Sequence, residues 1–369
     1  MVVKYELPFT ATLEDYECEA GNLFDALQAR VNPALWNFKW LHPNYRGKTV
    51  TDVKPESLDL DDARLVVAQE YSFNTWHDLG SFASKVSQNG PVRKFEQAVE
   101  AVVSGDLATL RSMLRDDPEL IRARSERRHR ATLLHYIAAN GVEGVRQQTP
   151  SNAVEVAKLL LDAGADPDAV AVMYDNLCTT MSMLVSSAHP AQAGVQAELA
   201  ELLLDYGARH VGPGSEWRST VKAALAFGYT ETAERLARRG APIDDLPTAA
   251  GLGRMDEAVK LLPTADSQSR HEALALASQH GHADIVGALL DAGEDPNRYN
   301  PVGFHAHSTP LHQAIAADRP RVVQLLLDRG ARTDIRDRVY QGNALDWAVY
   351  CERPAIAEEL RNRGAQTSS

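Results

Sequence analysis

The sequence predicts an all-α solenoid: short helix–turn–helix units stacked side by side, preceded by a non-repetitive helical segment. Two observations carry this. A pattern recurs at a fixed interval near the C-terminus, since Thr309 to Asn343 is 34 positions (343 − 309) and Gly330 to Gly364 is also 34 (364 − 330). Within each interval the apolar residues recur at helical spacing, as do Val323, Leu326 and Leu327. Such a unit has an apolar face that it cannot bury alone, so neighbouring units must stack.

Each landmark of the repeat has a mechanical reason. Thr309 can cap a helix with its hydroxyl. Pro310 then takes the first helical position, where a missing N–H costs nothing. Gly330 suits the left-handed residue that ends the second helix. The opener Thr309-Pro310-Leu311-His312-Gln313-Ala314 resembles that of the ankyrin-repeat family. Thr132-Leu133-Leu134-His135 lacks only the proline. The run from Gly281-His282 through Ile285-Val286 and Leu289-Leu290 to Gly293 resembles the family's second helix and its closing glycine. Gly164-Ala165-Asp166, Gly207-Ala208 and Gly240-Ala241 are further closers.

Residues 1–90 are not repeat-like. An apolar-periodic stretch around Leu23, Phe24, Leu27 and Val31 comes first. An alternation of Trp36, Phe38 and Trp40 follows, then a helix near Ala63 to Tyr71. Asn74 or Thr75 can cap a last helix carrying Trp76, Leu79 and Phe82. The string from Ala63 to Trp76 resembles a lead-in that precedes the repeats of bacterial ankyrin proteins. The resemblance implies a bacterial source and a helical cap over the first repeat. The expected division is therefore 1–90 as cap and 91–369 as repeat array, with roughly eight units from about Phe95 onward. The first unit keeps only the helical skeleton around Ser104-Gly105-Asp106. The fifth, Asp245 to Asp266, is shortened.

Departures from the repeat point to function, because stacking does not require them. The inter-helix glycine lies 12 positions before the closing one in regular units (293 − 281), but Gly141 to Gly164 is 23, so 11 residues are extra (23 − 12). They fall in Val142 to Ala153. About six more lie at His189 to Gly194 in the next unit. Equivalent turns of adjacent repeats lie side by side, so the two insertions should touch. They are either padded surface loops or a paired recognition loop. The hairpin from Gly293 to Thr309 has three extra residues (16 against 13) and holds Asn300, His305 and His307. If that segment is extended, the two histidines project to one side. Surface hydrogen bonding suits them better than a metal, because no carboxylate or cysteine sits at fixed spacing beside them. His135 and His312 occupy the opener's histidine, which in the resembled family bonds neighbouring backbone. Asp346 replaces it in the last unit and can only accept, so its partner must be a donor. Trp347 beside it is either core or a groove contact.

The formal net charge of -12 argues against a general nucleic-acid binder. Within that acidic chain Arg122, Arg124, Arg127, Arg128, His129 and Arg130 crowd one expected hairpin. It is either a solvated loop or an anion site, with Arg127, Arg128 and Arg130 as the anion-binding candidates. Three scattered cysteines, Cys18, Cys178 and Cys351, indicate neither a disulfide framework nor a thiolate metal site. No export signal is visible at Met1 to Thr12 and no run reaches membrane-spanning length, so a cytoplasmic location is expected.

No GxSxG, P-loop, HExxH or full dinucleotide motif occurs. The expected function is therefore binding, through the concave face of the array, of a protein segment or a polar or anionic small molecule, with no cofactor. Candidate contacts are Tyr136, Asn140, Arg146, Tyr174, His189, Asn300, His305, His307 and Tyr340, which would hydrogen-bond a ligand; Arg146 would pair with charge. The rivals are an enzyme using a groove histidine as general acid or base, and an inert scaffold.

Overall fold

Many helices start on a side chain or a proline that suits their first turn, among them Thr12, Asp59, Thr75, Asp106, Pro310 and Pro320. The computed structural model describes residues 7–139, 142, 146–211 and 219–368. By its internal contacts the chain forms two units, Met1–Glu216 and Trp217–Ser369. The junction expected at residue 90 lies inside the first of them.

In the first unit, α1 (Leu13–Gln28) begins at Thr12, whose hydroxyl accepts from the Asp15 amide while the Asp15 carboxylate accepts from the Thr12 amide. Pro33 lies in the first turn of α2 (Asn32–Leu41), and Asp59 caps α3 (Leu60–Glu70). Thr75, not Asn74, caps α4 (Trp76–Ser87) through the Asp78 amide. The inward faces of these helices make two apolar clusters. Tyr16, Val67, Leu79, Phe82 and Val86 belong to one, and Leu27, Phe38, Tyr45, Val53 and Val66 to the other.

Helices α5 (Pro91–Ser104) and α6 (Leu107–Asp116) make the first repeat pair. Gly105 turns between them at φ +75, a conformation that favours glycine, and Asp106 caps α6 through the Thr109 amide. The second pair departs from the expected form. Its inner element is a 3₁₀ turn, Leu133–Ala138, which ends at Ala139 in the left-handed region. There the chain leaves into the insertion before α7 (Ala153–Asp162). Strands β1 (Val170–Met173) and β2 (Asn176–Thr179) follow as an antiparallel hairpin. Tyr174 and Asp175 at its tip both have positive φ, the conformation of a type I′ turn. Among the described residues this is the one sheet, so the fold is all-α apart from a hairpin. The third pair is α8 (Thr180–Leu184) and α10 (Gln196–Asp205), and the inserted residues build the short α9 (Ala188–Gln192) between them.

The second unit stacks five pairs: α11 (Thr220–Ala226) with α12 (Thr230–Arg238), α13 (Leu246–Gly251) with α14 (Met255–Leu261), α15 (Ser267–His280) with α16 (Ala283–Asp291), α17 (Pro310–Ala316) with α18 (Pro320–Asp328), and α19 (Ala344–Tyr350) with α20 (Pro354–Asn362). With those of the first unit this makes eight pairs among the described residues. The shortened fifth pair runs without a hairpin into the sixth. Asp266, which closes the fifth, accepts from the Ser269 amide and so caps α15. Leu274, Ile285, Leu289, Ile315, Val323, Leu326 and Leu360 share one core running from the fifth pair to the last.

Candidate functional site

The arginine-rich hairpin is not the positive patch that its composition suggests. Arg127 is 1 % exposed. Its guanidinium donates to the Tyr71 carbonyl at 3.0 Å and pairs with the equally buried Glu96 at 3.3 Å. The Phe82 and Phe73 rings lie 4.6 and 5.4 Å from it. Arg127 is thus withdrawn from the anion-binding candidates: it is a buried cation caged by aromatic rings and held by a carboxylate. Arg124 donates to the carbonyls of Arg130 and Val170, and Arg122 pairs with Glu119. Arg128 and Arg130 are exposed. Arg128 shares a cavity of about 340 Å³ with Asp78, Lys85 and Glu126, so both signs of charge line it.

The insertion of the second repeat is anchored to its neighbours. The Arg146 guanidinium clamps the Glu100 carboxylate with two nitrogens and lies 4.7 Å from the Phe9 ring. That hydrogen-bonded cation holds the Glu100 carboxyl below the usual carboxylate range. Asn152 donates to the Gly105 carbonyl at 2.9 Å, an approach that leaves no room for a Cβ at Gly105. The charge pairing expected of Arg146 toward a ligand is therefore made within the chain. The two insertions do meet, with His189 Nε2 3.2 Å from Gln147 Oε1. Tyr136 is buried, its ring edge-on to Phe9 at 5.9 Å, which makes it a packing residue and not a surface contact. Tyr174 is exposed at the tip of the β-hairpin. Asn140 lies outside the described residues.

In the second unit, histidines staple one repeat to another. His280 Nε2 lies 2.8 Å from the Leu225 carbonyl, His282 Nε2 3.0 Å from that of Gly251, and His305 Nε2 3.0 Å from that of Ala226. Leu225, Gly251 and Ala226 lie at or near the C-terminal ends of inner helices, where carbonyls lack an intrahelical donor. His312 Nδ1 is 2.8 Å from Thr309 Oγ1 and accepts from the Thr309 amide, and His135 does the same with Thr132 in the first unit. Burial lowers the imidazoles of His135, His280 and His312 to about 4, so all three are neutral at pH 7.

The hairpins around His307 are built differently from the extended segment assumed above. Gly303 and His305 both have positive φ, so the chain coils rather than extends. Asn300 is buried and its amide closes the loop on the Ser308 carbonyl at 2.8 Å, which makes it a hairpin strut, not a surface contact. His305 and His307 still approach each other, with ring centroids 6.1 Å apart. His307 is half-buried and also faces Tyr340 at 6.1 Å and Trp347 at 6.0 Å. Tyr340 is 76 % exposed. Trp347 is half-buried, with its ring edge on His312 at 5.0 Å.

One residue that the sequence reading passed over organises this corner. The Asp337 carboxylate accepts from the amides of Val339, Tyr340 and Gly342 and from the Trp347 indole at 3.0 Å. Burial opposes its charge, but these donors outweigh burial and hold the carboxyl below its ordinary range. Asp346 finds the donors it needs in the Asn343 and Ser368 amides. A cleft of about 570 Å³ also opens on the outer helices α14, α16 and α18, lined by Met255, Gly287 and Leu325 with Asp284, Asp291 and Arg321.

Stacked helical pairs with Thr-capped openers and left-handed closing glycines define a repeat protein. The family model for ankyrin repeats in three copies matches residues 246–337 and 274–369, and that for a single ankyrin repeat matches 129–172. The chain carries ankyrin repeats over these residues. It is 26% identical over 250 residues to human Rabankyrin-5, covering 54% of this chain and 21% of that protein. It is 42% identical over 69 residues to the Neurogenic locus Notch protein of Drosophila melanogaster, which is 19% of this chain and 2% of that one. A bacterial relative, an ankyrin repeat-containing protein of Treponema pallidum, is 26% identical over 142 residues, or 38% of this chain and 40% of its own length. The chain thus spans about a fifth of Rabankyrin-5 and far less of Notch. The crystal structure of the human ASB11 ankyrin repeat domain aligns with a TM-score of 0.39 at 21% identity, covering 73% of this chain and 99% of that one. Among the described residues no helix is long and apolar enough to cross a membrane.

Proposed function

We propose that this chain is a binding module that takes a protein segment on the last two hairpins of its second unit, against His305, His307, Tyr340 and Trp347. The observation that carries the reading is the Asp337 carboxylate. Its four donors fix the 337–342 turn and the Trp347 indole before any partner arrives, and they leave Tyr340 standing in solvent. A rigid aromatic on a preorganised turn loses little entropy on binding and offers a large contact area. Val302, Val339 and Tyr350 are also exposed in the second unit, on its last hairpins and at the end of α19. Tyr174, His189, Arg128 and Arg130 are secondary candidates on the first unit.

Residues 1–90 serve, in the same proposal, as a cap on the start of the array. Its support is the pairing of Arg127 with Glu96 against Phe73 and Phe82, and of Arg146 with Glu100 against Phe9. The test of the binding site is a display selection of random peptides on the full chain. Selected peptides should lose at least about tenfold in affinity on Tyr340→Ala, the scale of an interface hot spot. Peptides that bind the variant unchanged would place the site elsewhere.

A further inference from the structure

The N-terminal segment carries a second surface that neither repeat stacking nor the hairpins use. On a helix, residues two apart lie about 200° around the axis and residues four apart about 40°. The alternation of Trp36, Phe38 and Trp40 within α2 therefore sends Phe38 inward and both tryptophans outward. Phe38 is buried with Leu27, Tyr45 and Val66. Trp36 is 41 % exposed and Trp40 63 %. Their rings stack on each other, with centroids 6.2 Å apart and planes inclined by 20°. Lys39 Nζ lies 3.0 Å from the centre of the Trp40 ring.

Charge along this stretch of the sequence is segregated. From Ala26 to Thr51 there is no aspartate or glutamate, while Arg30, Lys39, Arg46 and Lys48 are all present, in a chain whose net charge is -12. Arg30 pairs with Glu56 at 3.0 Å. Arg46 and Lys48 are exposed on the loop that follows α2. Two neighbouring solvent-facing tryptophans are costly to leave in water and are the commonest kind of interface anchor. The carboxylates that approach this stretch are engaged, Glu56 by Arg30, Asp62 by His42 and Asp52 by Thr49, so Lys39 and Arg46 are left in excess and the complementary face is apolar and flanked by carboxylates.

We propose that α2 and the loop after it form a docking surface for an acidic amphipathic helix of another protein. The partner's apolar stripe would cover Trp36 and Trp40, and its carboxylates would face Lys39, Arg46 and Lys48. A nucleic acid is disfavoured, since its affinity comes from neutralising many phosphates and this surface offers few cations on an acidic protein. An anionic bilayer is disfavoured because it is an extended surface that also meets the acidic remainder of the chain, whereas one short helix meets only α2 and its loop. This surface is separate from the hairpin site, and either can fail without the other.

The test measures fluorescence anisotropy of a labelled synthetic helix with leucine along one face and glutamate along its flanks. Its lysine-for-glutamate counterpart, phosphatidylserine-containing vesicles and oligouridylate are run beside it on the full chain. The glutamate peptide should bind with an affinity that falls as salt rises. The double variant Trp36→Ala, Trp40→Ala should bind it at least about tenfold more weakly while melting at an unchanged temperature. Lys39→Glu with Arg46→Glu should weaken it similarly and favour the lysine peptide. Failure of the glutamate peptide to bind, equal binding of the lysine peptide, preference for vesicles or oligouridylate, or undiminished affinity in the tryptophan variant would each overturn the proposal.

Discussion

Acid should unfold this protein in a pH window set by its buried histidines. His135, His280 and His312 have imidazoles lowered by burial to about 4, against about 6.5 in an unfolded chain. Between these values the unfolded state binds the proton and the folded state does not, so stability falls as pH falls. The contribution is whole above pH 6.5, shrinks as pH drops toward 4, and does not change further below that. At pH 5 each histidine removes about 2 kcal/mol relative to pH 7, since the unfolded imidazole is by then almost fully protonated. His280 and His312 together remove about 4 kcal/mol from the second unit, and the three about 6 if the chain unfolds in one step. Both figures are large beside a total stability of about 5–15 kcal/mol. His271, His282 and His305 are lowered by burial too and act in the same direction. The depressed carboxyls of Asp337 and Asp346 contribute stability that is lost only at more acid pH, so the range from 5 to 7 isolates the imidazoles. Urea titrations followed by far-UV circular dichroism at pH 7 and pH 5 read the effect as a shift of midpoint. The variant His280→Gln, His312→Asn keeps a donor or acceptor at each site and should flatten the dependence, whatever it does to the midpoint at pH 7. Equal midpoints at the two pH values, or a variant with the full dependence, would refute the reasoning.

Arg127→Ala leaves Glu96 charged and buried, and should cost about 3–5 kcal/mol in urea unfolding, while Arg128→Ala or Arg130→Ala should stay within about 0.5 kcal/mol. Equal effects at the three positions would mean that Arg127 is not the buried member. Asp337→Ala strands the donors of the 337–342 turn and should cost about 1–3 kcal/mol, with faster amide exchange at Val339, Tyr340 and Gly342. Unaltered exchange there would show that the turn holds itself without the carboxylate. Removing residues 1–90 should uncover Val92 and the buried Arg127–Glu96 pair and cause association visible by light scattering. A monomeric product with an unchanged melting temperature would dispose of the cap.

Local features of this fold were legible in the sequence, and distant pairings were not. Thr309 and His312 sit three residues apart and cap one helix, so the opener announces itself. The shortened fifth repeat and the turn at Gly105 were legible for the same reason. The hairpin 170–179 was not, because its turn is Tyr174-Asp175, without the glycine that advertises positive φ. Arg127 belongs to a run of arginines that looks solvated. Its carboxylate is 31 residues away and its aromatic cage is largely outside the repeats. Arg146, whose place in the insertion points to a charge partner, has one in Glu100, 46 residues back in the chain. His305 reads as a surface histidine, while its acceptor, the Ala226 carbonyl, is 79 residues back. Stacking creates such contacts, and no short motif encodes them.

Amide exchange of the full chain with and without a peptide selected on it locates the binding surface. Exchange should slow at residues 300–308 and 337–350, around His307, Tyr340 and Trp347, and stay unchanged on the outer helices. Protection concentrated at Ala283–Asp291 and Pro320–Asp328, along the outer cleft, with the hairpins unchanged, would contradict the hairpin site.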